Sequence, residues 1–183
     1  YQVLMNFTQD LIKHVVKSVT GGLKITYQGT EIDFSKPIKK LTLADAIKQH
    51  TGIDIDTINT EDEFKSIIKS KKLKLDLTEV VGLGACFDQL YKEYVRPKII
   101  EPTFMCDYPS EMIALAKRHP HDPKKIASFQ LVVCGTELLK AYNEVNDPKD
   151  QSDRWLSEVE LAKKGSEIAS QFDHDYIRAL EYG

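Results

Sequence analysis

Three side chains of different chemistry occupy alternate positions late in the chain: Lys140, Tyr142 and Glu144. Residues two apart on a strand share a face, so a strand here projects a cation, an aromatic ring and a carboxylate together. Such a row can hold a ligand by charge and by ring contact. A Lys and Glu pair on an exposed strand is equally commonplace as structure, and the three residues alone leave both readings open. The other candidates carry less. His119 and His121 are the one close pair among five histidines, and with Pro120 and Pro123 around them and no cysteine nearby they predict a polar loop rather than a zinc site. Cys86, Cys106 and Cys134 are odd in number, widely spaced and set among Phe, Val and Met, which predicts buried reduced thiols and not a disulfide framework. The lysine-rich stretch from Lys65 to Lys74 has no interleaved aromatic and follows acidic residues, so it reads as a solvated face.

The elements that must position the row follow from periodicity. Leu4, Phe7, Leu11, Val15 and Val19 recur every three or four residues before Gly21-Gly22, predicting an amphipathic helix with that stripe inward and a glycine C-cap. Alternation from Leu23 to Phe34 around Gly29 predicts a β-hairpin. Thr42 with Asp45, and Thr60 with Glu63, have capping spacing and predict helices near 42–50 and 60–70. A longer helix is expected from Thr78 to Val95, with Val81, Ala85, Leu90 and Tyr94 inward and Gly82-Leu83-Gly84 inside it as packing space rather than a phosphate loop. Strands are expected at 102–108, 129–134 and 137–145, a helix opened by Pro148 through about Lys164, and a last helix capped by Asp173. The order is α+β, with a helical and hairpin region over about 1–100 and strands with flanking helices over about 101–183.

At 183 residues, 42% hydrophobic and 29% charged, the composition is that of one ordinary globular domain. A net charge of -3 supplies no overall basic field for a polyanion. Val80 to Phe87, the longest apolar run, is too short to span a bilayer and no signal-peptide pattern opens the chain, so a cytoplasmic protein without membrane contact is expected. Residue types and spacing by themselves stop at an α+β soluble domain.

Longer runs go further. Pro102-Thr103-Phe104-Met105-Cys106-Asp107-Tyr108-Pro109, Leu115-Ala116-Lys117-Arg118-His119-Pro120, Cys134-Gly135-Thr136-Glu137, Ala141-Tyr142-Asn143-Glu144-Val145-Asn146-Asp147-Pro148 with Gln151, and Ala179-Leu180-Glu181-Tyr182-Gly183 together resemble class II lysyl-tRNA synthetases over nearly the whole chain. The resemblance implies an internal piece of the catalytic domain, between the second and third signature motifs, carrying part of the family's antiparallel sheet flanked by helices. It implies lysine, ATP and tRNA(Lys) as substrates, Mg2+ with the ATP, and a homodimer for the full-length protein. Because the family's phosphate-binding arginines lie in the motifs, the piece alone is expected to be inactive.

Residue by residue, Glu144 resembles the carboxylate that receives the substrate's ε-ammonium, with Tyr142 along the aliphatic stem. A partly desolvated carboxylate suits a long cation and rejects shorter or neutral amino acids. Glu137 resembles one of two glutamates that hold magnesium against the ATP phosphates. Gln130 stands where the second is expected, and Lys140 where an asparagine usually lies beside the substrate. That lost anion and gained cation raise the hypothesis that Lys140 replaces one magnesium ion. Ile113-Ala114 also departs from the family's serine and proline. A non-catalytic paralogue that kept the sheet, and the related ligase that lysylates elongation factor P, are the alternatives. Glu137 and Lys140 are three apart and would face opposite sides of a regular strand, so their shared role requires a β-bulge between Gly135 and Lys140.

Overall fold

A computed structural model describes residues 1–166 and 172–183. Helix α1 (Gln2–Thr20) ends at Gly21, whose φ of 79° is open to glycine at no Cβ cost. The hairpin follows as β1 (Lys24–Tyr27) and β2 (Thr30–Asp33), with Ile25 opposite Ile32. Both capping spacings are realised. Thr42 accepts from the Asp45 amide at 3.0 Å to open α2 (Leu43–Thr51), and Thr60 with Glu63 forms a reciprocal capping box on α3 (Glu61–Ser70).

Helix α4 (Leu83–Tyr94) starts five residues later than its sequence pattern suggests. Gly82 has φ 95° and ψ 148°, outside helical space, and its N–H donates to the Glu61 carboxylate at 2.8 Å. The buried side is therefore Cys86, Phe87, Leu90 and Tyr91 rather than the Val81, Ala85, Tyr94 stripe. Packing space is the right account of Gly84, where a Cβ would come within 2.4 Å of the Glu111 carbonyl oxygen.

The main sheet has the order β3 (Lys39–Thr42), β4 (Thr103–Cys106), β7 (Ser128–Val133), β8 (Thr136–Tyr142). The three expected strands are neighbours and antiparallel. The sheet is nevertheless mixed, because β3 pairs parallel with β4. Four residues reading Lys-Lys-Leu-Thr give no apolar alternation, and a parallel partner lies far off in sequence, so nothing local announces this strand. His119 and His121 fall not in a plain loop but at the turn of a small antiparallel pair, β5 (Arg118–His119) and β6 (Asp122–Ile126). Asp147 accepts from the Lys149 and Asp150 amides to cap α5 (Pro148–Lys163), and Asp173 caps α6 (His174–Tyr182).

Each face of the sheet carries its own core. Met105 and Val132 join Leu43, Ile47, Phe64, Phe87, Leu90 and Tyr91 of the helices, while Phe104, Phe129, Leu131 and Val133 pack with Met5, Ile32 and Phe34. Each such side chain contributes about 1.5–3 kcal/mol on full burial. The stripe on α1 is turned outward: Val3, Phe7 and Val19 are 82%, 62% and 79% exposed, and Met5 and Thr8 are buried instead. Neither β3 nor β8 has a second strand neighbour among the described residues, so both sheet edges are unpaired there. An uncovered edge and apolar face are what a sheet whose remaining members lie elsewhere would show.

Candidate active site

The pairing of β7 with β8 contains the irregularity the sequence demands. Leu131 pairs with Leu139, but Val132 pairs with Glu137, so Leu138 is the extra residue of a β-bulge. Directly opposed residues share a face. Without the bulge Glu137 would follow Leu139 onto the Phe129 and Leu131 side. With it, Glu137 lies opposite Val132, on the same face as Lys140, whose partner is Gln130, and Tyr142, whose partner is Ser128. Gly135, at φ 69° and with its Cα side against the Pro97 backbone, makes the preceding tight turn.

That face borders a cavity of about 750 Å³. Gln130, Glu137 and Lys140 line it together with Tyr108, the start of α4 from Gly82 to Ala85, residues 111–115, and Glu158, Glu160 and Leu161 of α5. Tyr108 and Tyr91 meet edge to face with ring centroids 6.5 Å apart, and both are 2% exposed. Burial pushes the Tyr91 hydroxyl up to about 12 and the Tyr108 hydroxyl well above its ordinary value, and the Glu137 charge pushes both in the same direction. Both phenols are therefore neutral at physiological pH.

Tyr142 and Glu144 stand beside the cavity rather than in its lining. The ladder ends at Tyr142, so the expected strand to 145 is too long, and Glu144 is held instead by a separate bridge to Ala116. The backbone remains extended there through bonds from the Asn143 amide to Ala127 and from the Val145 amide to Leu115. Glu144 is exposed and Tyr142 half-buried. Burial, then the Glu144 charge, raises the Tyr142 phenol.

Asp150 and Arg154, one helical turn apart on α5, fix the 113–116 segment that meets Glu144. Arg154 donates to both Asp150 oxygens at 3.1 and 2.8 Å, and to the Ala116 carbonyl at 2.7 Å. Arg118 adds a third bond to Asp150 at 3.0 Å. Sequence reading assigned none of these a role, nor Tyr108. The i,i+4 spacing of Asp150 and Arg154 was the available signal, whereas the contact with 113–116 spans some forty positions and left none.

For the magnesium that a class II synthetase uses, the face offers the Glu137 carboxylate and the buried Gln130 carboxamide oxygen, which has no hydrogen-bond partner among the described residues. No group of three or more His, Cys, Asp and Glu among the described residues could hold a metal ion. One carboxylate and one neutral oxygen fit an ion that takes its other ligands from phosphate and water, as magnesium does.

With this geometry in view, the comparison with known sequences defines the class: the model of the class II tRNA synthetases (D, K and N) matches residues 1–183, and the chain belongs to that family. Within it, the chain is 40% identical over 183 residues to the lysine–tRNA ligases of Carboxydothermus hydrogenoformans and Pelotomaculum thermopropionicum, covering all of this chain and 37% and 36% of theirs. The lysine–tRNA ligase of Porphyromonas gingivalis is likewise 40% identical over 183 residues, of which the chain covers 31%. The chain thus spans about a third of the length of these curated relatives.

Proposed function

We propose that this chain is part of a lysine–tRNA ligase, which activates lysine with ATP to lysyl-adenylate and transfers it to tRNA(Lys). In this reading Glu144 receives the ε-ammonium and Tyr142 packs along the stem. Glu137, with the Gln130 oxygen, would hold the Mg2+ that accompanies ATP, and that ion would offset triphosphate charge. Lys140 supplies a fixed positive charge between them. The observation that supports the reading best is the bulge at Leu138, because no regular strand brings Glu137 to the side of Lys140 and Tyr142.

The division of labour follows from charge. Two carboxylates at different points along β8 serve two cations, one organic and one inorganic, and the lysine lies between them. Holding reactants in place and stabilising developing charge are what such a site contributes. In the same reading the whole ligase works as a homodimer in the cytoplasm; among the described residues no helix is long and apolar enough to cross a membrane.

Lysine-dependent ATP–pyrophosphate exchange by the longer reading frame tests the proposal, with ornithine and arginine as controls. Exchange with lysine alone is expected, and the 183-residue chain by itself should remain at background. Gln130 and Lys140 favour one second reading, a paralogue that binds lysine without activating it. That protein would show lysine binding and no exchange.

A further inference from the structure

Two buried polar atoms in the cavity wall are unaccounted for. The Tyr108 hydroxyl and the Gln130 carboxamide oxygen have no hydrogen-bond partner among the described residues, although Tyr108 is 2% and Gln130 8% exposed. Both residues line the same cavity. Leaving such an atom unpaired costs about 1–3 kcal/mol, so the native complex should supply partners. An amide oxygen can only accept, and a phenol oxygen can accept as well as donate. What the pair lacks is a donor with more than one hydrogen, and the neighbouring Glu137 carboxylate favours one that is positively charged.

Length selects which group this is. Gln130 lies directly opposite Lys140, four residues along the chain from Glu144, which in extended backbone is about 13 Å. An extended lysine measures about 7 Å between its two nitrogens, and a hydrogen bond of about 3 Å at each end brings the total to about 13 Å. A lysine whose ε-ammonium is held by Glu144 therefore presents its α-ammonium at the level of Gln130.

We propose that Tyr108 and Gln130 are further substrate-contacting residues, whose two oxygens receive the α-ammonium of the amino-acid substrate. This rests on the lysine-binding reading of Glu144 given above. In this arrangement Lys140, directly across from Gln130, faces the α-carboxylate. The site measures the amino acid at both ends: Glu144 reads the side-chain cation, and the buried pair reads the α-amino group.

The test uses 6-aminohexanoate, which is lysine without its α-amino group. Isothermal titration of the longer protein with lysine and with 6-aminohexanoate, for wild type, Tyr108→Phe and Gln130→Leu, separates contact from structure. Wild type should prefer lysine. Each variant should lose about tenfold or more in lysine affinity, as expected for one hydrogen bond to a charged group, with 6-aminohexanoate binding unchanged. Lysine and 6-aminohexanoate weakened equally, or lysine binding unchanged in both variants, overturns the proposal. Two independent substitutions, each checked by thermal unfolding, guard against failure of either to fold. No lysine binding by wild type overturns the lysine-ligase reading along with this one, whereas wild-type binding with an unaltered preference in the variants overturns this one alone.

Discussion

Asp150→Asn removes the charge that Arg154 and Arg118 share, and its consequences can be worked through from the geometry. Arg154 is 7% exposed and cannot regain water when its partner goes. Breaking a buried ion pair costs about 3–5 kcal/mol because the survivor stays charged and buried. The Asp150 side chain keeps 22% of its exposure and asparagine retains one acceptor, which places the loss at the lower end, about 3 kcal/mol. For a domain of this length that lowers Tm by roughly 6–12 °C. The pH dependence has a definite sign. Burial alone would raise the Asp150 carboxyl, but the bonds from Arg154 and Arg118 outweigh it and hold it below the ordinary carboxylate value. Its contribution is thus fully present above the ordinary value, about pH 4, and is lost as pH falls through the depressed folded value. Urea unfolding of wild type and Asp150→Asn at pH 7, 5 and 3 should show the full gap at the first two and a narrower one at the third. A gap below 1 kcal/mol at pH 7, or one that does not narrow in acid, would refute the assignment of this network as the brace for 113–116.

Further outcomes follow from packing and burial. Gly84→Ala drives a Cβ to within 2.4 Å of the Glu111 carbonyl oxygen and should cost about 1–3 kcal/mol, while Gly22→Ala, with nothing within 4 Å and no positive φ, should be neutral or slightly stabilising; thermal denaturation of the pair checks this. Burial pushes the Cys86 thiol up to about 11 and Cys106 up to about 12, whereas Cys134 is only half-buried. A thiol reagent at pH 8 should therefore titrate one cysteine quickly in the native chain and three in urea, and three fast native thiols would contradict this packing.

What the sequence disclosed depended on how locally each feature is encoded. Thr42, Thr60, Asp147 and Asp173 cap helices because a hydroxyl or carboxylate and the amides it accepts from lie within three residues. The bulge was legible because Glu137 and Lys140 conflict with a period of two, and strand geometry resolves that conflict in one way. The α1 stripe was read correctly as a helix but assigned to the wrong side, since periodicity identifies an apolar face without saying which neighbour is present to cover it. Strand β3 was missed because its partner, β4, lies some sixty residues away. Of the site, Lys140, Tyr142 and Glu144 could be seen as a row, although Glu144 proves to be held by Ala116 rather than by the ladder. Tyr108 and Gln130 became candidates only once their burial and missing partners were visible.

The central claim is that Glu144 is the receptor for the substrate's side-chain ammonium, and the most direct measurement is the lysine KM of Glu144→Gln in the longer protein. The substitution keeps shape and removes one charge-assisted contact of about 1.5–3 kcal/mol, so lysine KM should rise about ten- to hundredfold while the KM for ATP stays within twofold. An unchanged lysine KM, or an equal rise for both substrates, would contradict the account.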